Sequence, residues 1–373
     1  MPSHTSIFTG LYTITHDVRS NGQTLNDEAL TMAEILQSVG YQTGAVVAAA
    51  PLMNDYNLDQ GFDTYNDDFR DPALIGGFKW MLRVFSAKKL VIPTSRPANR
   101  VVGAAREWLG SAAKKKRPFF LWLHFFDPHD PYDFHPDFEK PELKEGDGES
   151  NQYGVKEANY INEIEFADHN LGKVLNQLDR LGISSNTITI FTADHGESLG
   201  EHDYHGHRQD VYENIIRVPL LIRYPERLPA GERRKTPAMS IDILPTLLNL
   251  VGIPFTPQSF QGQDLFQLAE NEPRRVYSLA VKLFSKSPIR RTMIFGDYKF
   301  IEFDDPSRNA LYNLAQDPAE SNNLMGVMES SLEKVSWVEE IKQWFERFER
   351  VNFSDIAMTP EQLEKLKSLG YIQ

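Results

Sequence analysis

Thr187-Ile188-Thr189-Ile190-Phe191-Thr192-Ala193-Asp194-His195-Gly196 is the stretch whose reading decides the fold. An apolar, β-branched run feeds directly into an Asp-His-Gly turn. That is the pattern of a buried strand delivering a carboxylate and an imidazole at its C-terminal end. Ligand and catalytic groups of open α/β sheets collect at that end. Immediately downstream, His202-Asp203-Tyr204-His205-Gly206-His207-Arg208 adds three more of the chain's ten histidines.

Working outward, the segments alternate in type. Residues 24–40 have helical spacing (Ala29, Met32, Ala33, Leu36 and Val39 on one face), with Thr24 or Asn26 as cap and Gly40 as stop. Thr43 to Ala48 reads as a buried strand, residues 99–112 as a helix, and Pro118 to Phe126 as a strongly apolar strand. Residues 64–97 are irregular in character. A long helix is expected over about 156–181, ended by Gly182, before the 187–193 strand. Val218 to Arg223 is a further strand and leads to a helix at 241–251. Such alternation predicts an α/β fold, a mostly parallel sheet flanked by helices.

After about residue 270 the pattern changes. Short strands at 276–281, 292–295 and 298–303, a Gly296-Asp297 turn, and two closing helices near 328–349 and 360–369 predict a small C-terminal α+β subdomain. The expected division is a catalytic domain over 1–270 and this subdomain over 271–373.

Composition narrows the function classes. The 373 residues suffice for a sizeable core, and a net charge of −13 argues against nonspecific nucleic-acid binding. Zero cysteines remove disulfides, thiolate metal sites and a cysteine nucleophile from this chain. No run of about 18 apolar residues suggests a membrane span, and Met1-Pro2-Ser3-His4 shows no signal peptide. Lys114-Lys115-Lys116-Arg117 reads as a solvated turn.

Three segments place chemistry after strands. At Asp194-His195 the carboxylate suits hard cations such as Ca²⁺ or Mg²⁺, and the imidazole suits Zn²⁺ or Mn²⁺. His129 lies between two Asp-Pro turns, on a loop stiff enough to hold an imidazole for proton donation to a leaving oxygen. His124, still inside its strand, reads equally well as a satisfied core histidine. His202, His205, His207 and Arg208 can bind a metal or an oxyanion, Arg208 as a grip on a tetrahedral anion.

Together these motifs resemble the sulfatase family of the alkaline-phosphatase-like superfamily. Thr192 to Glu197, continuing to Arg217-Val218-Pro219-Leu220, resembles the family's C-terminal metal motif and its following strand. Asp127 to Tyr132 resembles its histidine loop, Asp242 to Leu248 its late helix, and Leu311 to Glu320 with Asn323-Leu324 its C-terminal subdomain. At the start, Pro2, Ser3, Thr9 and Gly10 fall on the family's nucleophile frame. In that frame the nucleophile precedes Met1, and the family's Asp-Asp metal pair lies further upstream. The expectation is therefore an N-terminally truncated chain.

The resemblance implies a metal-dependent sulfuric ester hydrolase. Asp194 and His195 would be metal ligands, His129 a catalytic imidazole, and Arg208 or His207 the counterpart of the family's anion-binding lysine. Arg208 is the better match, four residues before Tyr212, and His207 is the alternative metal or anion ligand. The implied cofactor is a divalent metal, calcium or magnesium by family, with zinc or manganese open. The implied partner is a sulfated or phosphorylated small molecule or glycan. Two departures stand out. His4 occupies the motif's arginine position, part of the signal for formylglycine formation, and residues 45–53 lack the family's Lys-x-His pair. They leave two alternatives: a phosphoester or phosphonate hydrolase or phospho-group transferase of the same superfamily, or an inactive fragment.

Overall fold

A computed structural model describes residues 1–69, 95–138, 152–207, 210–270, 273–281, 288–326 and 332–349. They form two compact units, Leu36–Ser184, and Met1–Ile35 together with Ser185–Gln373.

The Leu36–Ser184 unit is built on a parallel sheet. Strand β1 (Gln42–Val46) lies between β2 (Thr64–Asn66) and β3 (Phe119–Leu123), parallel to both. The long apolar runs make sense here, because parallel strands are covered on both faces. Gly44 lies at the middle of β1, where a Cβ would fall 2.4 Å from the Trp108 ring. Helices α4 (Ala98–Ala112) and α5 (Gln152–Arg180) pack through Val102, Leu109, Val174 and Leu178 onto Phe119 and Leu121. Gly182 follows α5 in the left-handed conformation, as its position in the sequence predicts.

The other unit begins with α1 (Pro2–Thr9) and α2 (Thr13–His16). The helix expected over 24–40 is shorter, with α3 at Met32–Ser38. The reason is a capping box. Glu34 N–H donates to Thr31 Oγ1 at 3.2 Å and Thr31 N–H donates to the Glu34 carboxylate at 2.8 Å, so Thr31, and not Thr24 or Asn26, caps the helix.

Strand β4 (Thr189–Thr192) pairs with β7 (Leu220–Arg223), and the pairing is antiparallel. Between them lie the two-residue strands β5 (Ser198–Leu199) and β6 (His205–Gly206) and a one-turn helix, α6 (Glu213–Ile216). Helix α7 (Ile243–Val251) follows. The C-terminal strands β8 (Val276–Val281), β9 (Pro288–Phe295), β10 (Tyr298–Phe303) and β11 (Ala310–Asn313) form an antiparallel sheet in the order β11-β10-β9-β8. Helix α8 (Leu332–Glu349) covers it with Ile341, Trp344 and Phe345 against Met293, Phe300 and Leu311. The expected helix at 360–369 and residue Arg208 lie outside the described residues. Among the described residues, no helix is long and apolar enough to cross a membrane.

Candidate functional site

The Asp194-His195-Gly196 turn leaves the end of β4 and is pinned from the other side by α6. Gly196 N–H donates to Ile215 O at 2.7 Å, and a Cβ on Gly196 would stand 2.2 Å from the Asn214 carbonyl oxygen. Only glycine lets the two backbones approach so closely.

The His195 ring is set by its own turn. Its Nδ1 lies 2.9 Å from Gly196 O, and a carbonyl can only accept, so Nδ1 carries the proton of the neutral ring. The lone pair on Nε2 then faces Asp194 Oδ2 at 3.5 Å. Two acceptors facing each other call for a cation or proton between them. A metal-bound histidine also typically donates its other N–H to a carbonyl.

His207 stacks on His195, ring centroids 4.1 Å apart and 19° from parallel. Its Nδ1 donates to Glu197 Oε2 at 3.1 Å, and the Glu197 side chain is 4% exposed. The hairpin that carries His207 back is fixed by Ser198 Oγ, which donates to Tyr204 O at 2.9 Å, and by Glu201, whose carboxylate accepts from Leu199 N–H and the Asn214 amide. The other two histidines go elsewhere. His202 stacks on Tyr212 at 3.7 Å, and the exposed His205 ring borders Gly200.

Helix α1 supplies a residue that the sequence left without a structural role. His4, buried on α1, brings Nδ1 within 3.4 Å of Asp194 Oδ2. Where the family motif carries arginine, this chain has an imidazole against the same carboxylate that His195 faces. Thr9-Gly10 of that motif ends the helix: Gly10 is left-handed at φ 67° and its N–H donates to Ser6 O at 2.9 Å. Near by, Ser6 Oγ and His16 Nε2 lie 2.9 Å apart, which looks like a nucleophile–base pair. It is not one. His16 Nδ1 accepts from Val18 N–H, so Nε2 carries the proton and donates to Ser6.

Asp194 and His195 suit a divalent metal as part of its ligand set. Their 3.5 Å donor separation is close to the edge of a tetrahedron with bonds of about 2.1 Å, roughly 3.4 Å. They do not complete the set. Among the described residues no group of three or more His, Asp or Glu side chains is arranged to hold a metal.

His129 belongs to the Leu36–Ser184 unit. Its ring stacks on Phe126 at 4.1 Å, and Nδ1 donates to Asp130 O at 2.6 Å, which leaves Nε2 as the exchangeable position. Its loop is tied to flanking helices. Asp127 accepts the Ala98 N–H at the start of α4, and Glu163 and Asn162 of α5 accept the N–H groups of Asp133 and His135. His124 Nδ1 accepts from Ala48 N–H at 3.3 Å, so the core-histidine reading accounts for one ring nitrogen.

A sulfatase family model matches residues 1–253, and a model of the N-sulphoglucosamine sulphohydrolase C-terminal region matches 200–349. The chain belongs to the sulfatase family. It is 33% identical over 180 residues to an N-acetylglucosamine-6-O-sulfatase of Bacteroides thetaiotaomicron, covering 46% of this chain and 32% of that protein. It spans between about a third and a little over half of the length of the first curated relatives it matches. BT4656, solved in complex with its substrate D-glucosamine-2-N,6-O-disulfate, superposes with a TM-score of 0.73 at 20% identity, over 93% of this chain and 88% of that one. A phosphonate monoester hydrolase of Agrobacterium radiobacter superposes at 0.68 and 19%, over 93% and 86%. These likenesses bear out the α/β fold with its C-terminal sheet.

Glu197 and His4 are the site residues that sequence reasoning missed. Glu197 had a signal, an acid two residues after the histidine, but nothing in the spacing says that it would turn back to His207. His4 stood on the nucleophile motif's arginine position, but nothing in the sequence pairs it with Asp194, 190 positions away.

Proposed function

We propose that this sulfatase hydrolyses sulfuric esters, with a sulfated sugar or another small sulfated alcohol as substrate. The observation that carries the reading is the Asp194–His195 pair, two acceptors held face to face at the end of β4 in a sulfatase chain. In this reading Asp194 and His195 hold a divalent ion together with further ligands. Calcium or magnesium is expected from the family, and the imidazoles favour zinc or manganese. When bound, that ion would supply positive charge that draws electrons from the ester oxygens.

Anion binding and proton transfer fall to the chain's own side chains. His207, with its Nδ1–H donated to Glu197 Oε2, presents the Nε2 lone pair as an alternative metal ligand. Arg208 is proposed as an anion contact on its sequence position alone. His129, with Nδ1 committed to Asp130 O, holds or delivers a proton at Nε2, the atom suited to protonating a leaving alcohol. The division into a catalytic domain over 1–270 and a C-terminal subdomain over 271–373 belongs to the same proposal.

The superfamily's fold also carries phosphonate ester hydrolysis, and fold does not separate the two chemistries. Turnover of an aryl sulfate and the matching aryl phosphate decides. Sulfate turnover that disappears in Asp194→Ala and in His195→Ala supports the proposal. Phosphate turnover without sulfate turnover overturns it in favour of a phosphorus ester. Turnover of neither overturns the assignment of activity to these 373 residues.

A further inference from the structure

We propose that Lys299 is a positioning residue for the Asp194–His195 turn, acting through Glu213 and the backbone of α6. The proposal rests on the reading of that turn as the reaction site.

Lys299 sits on β10 with a side chain 0% exposed. Its Nζ lies 3.0 Å from Glu213 Oε1 and 2.8 Å from Glu320 Oε1. Glu320, itself 2% exposed, turns its other oxygen to accept the Glu213 main-chain N–H at 2.6 Å. The first residue of α6 is therefore gripped twice, by its carboxylate and by its amide. Two residues on, Ile215 O receives the Gly196 N–H, and Asn214 O fills the space that a Gly196 Cβ would need. Asn214 also reaches Glu201 of the hairpin that carries His207. A path of contacts thus leads from the C-terminal sheet to the residue that follows His195.

The grip matters because α6 cannot hold itself in place. It is four residues long, and its N-cap, Tyr212, makes no side-chain capping bond. A single helical turn is unstable alone, and its first N–H groups need outside partners. Tyr212 and Ile216 pack on the buried face of the C-terminal sheet, beside Ile301 and Tyr312, but apolar contact is tolerant of small sliding. The hydrogen bond from Lys299 Nζ to Glu213 Oε1 is directional. Burying an ammonium with two carboxylates is costly, and an apolar residue at 299 would fill the space with less desolvation. An apolar residue could not hold Glu213.

The bland account is that Lys299 stabilises the sheet and nothing more. Lys299→Met in the full chain separates the two. The main readout is hydrogen exchange of the Gly196 amide, with amides of β9 and β10 as internal reference. The proposal expects Gly196 to lose protection by about tenfold or more while the β9 and β10 amides keep theirs. In a chain that turns over aryl sulfate, kcat should fall about tenfold with KM within about twofold. Unchanged Gly196 protection in a folded variant overturns the proposal, and so does loosened Gly196 with unchanged kcat. If Lys299→Met fails to fold, Glu320→Gln decides by the same amide, with a smaller but measurable loss of protection expected and an unchanged Gly196 overturning. Should the unsubstituted chain turn over no sulfate ester, the activity proposal fails on its own and the amide measurement still judges the grip on the turn.

Discussion

Gly196 and Asn214 meet backbone to backbone, with the place of an absent Gly196 Cβ only 2.2 Å from the Asn214 carbonyl oxygen. The obstacle is main chain, so it cannot swing aside. Gly196→Ala should therefore push the Asp194–His195 turn off α6 at a cost of about 1–3 kcal/mol, the range of forced overpacking. Thermal unfolding measures the loss and an aryl sulfate assay its effect on the site. A variant as stable and active as the parent would show that the contact is looser than described.

His16 makes a pH-dependent contribution to stability. Burial pushes its imidazole down to about 3, from an ordinary 6.5. Between those values the unfolded chain binds a proton that the folded chain refuses, so this group's contribution to stability falls as pH drops from 6.5 towards 3. The slope approaches about 1.4 kcal/mol per pH unit. Denaturant melts of the parent and His16→Gln over this window should show a shallower fall in the variant. Parallel curves would refute the assignment.

Glu163 acts in the opposite sense. Burial pushes its carboxyl up to about 8, against the Asp133 N–H and with the help of the Asp127 and Asp133 charges. The folded state then holds a proton that the unfolded chain has released, between 4.5 and 8, and this contribution is lost as pH rises through that range. Glu163→Gln keeps an acceptor for Asp133 N–H and has no charge to bury. It should melt higher than the parent at about pH 8.5 and show no gain at about pH 4. A variant that melts no higher than the parent at about pH 8.5 would refute the raised carboxyl.

His129 is proposed to give its proton to the departing alcohol, so its importance should depend on how much help that alcohol needs. With alkyl-like, poorly leaving sulfates, His129→Ala should cost about 10²- to 10⁴-fold in kcat, and far less with nitrophenyl sulfate. The same loss on every leaving group would assign His129 to anion binding or to support of the loop.

The ease of reading different parts of this chain differed for physical reasons. The β4 run and its Asp194-His195-Gly196 turn are local patterns, visible because strand periodicity and glycine's backbone freedom act over a few residues. The α5 helix and its Gly182 stop were legible for the same reason. The start of α3 was misplaced because Thr24, Asn26 and Thr31 all look like caps, and only Thr31 has Glu34 three residues on to close the box. The antiparallel pairing of β7 with β4 was not legible, since strand direction depends on the path taken by the chain between them.

By itself, the sequence determined the family, the strand-to-turn delivery of Asp194 and His195, and the class of chemistry those side chains favour. Tertiary structure alone decided which groups stand around them. His4 against Asp194 and Lys299 beside Glu213 of α6 depend on chain segments brought together across long separations, and Glu197 behind His207 depends on how the hairpin between them closes. Such contacts are selected by burial and by the need to pair every buried charge, and neither condition exists until the chain has folded.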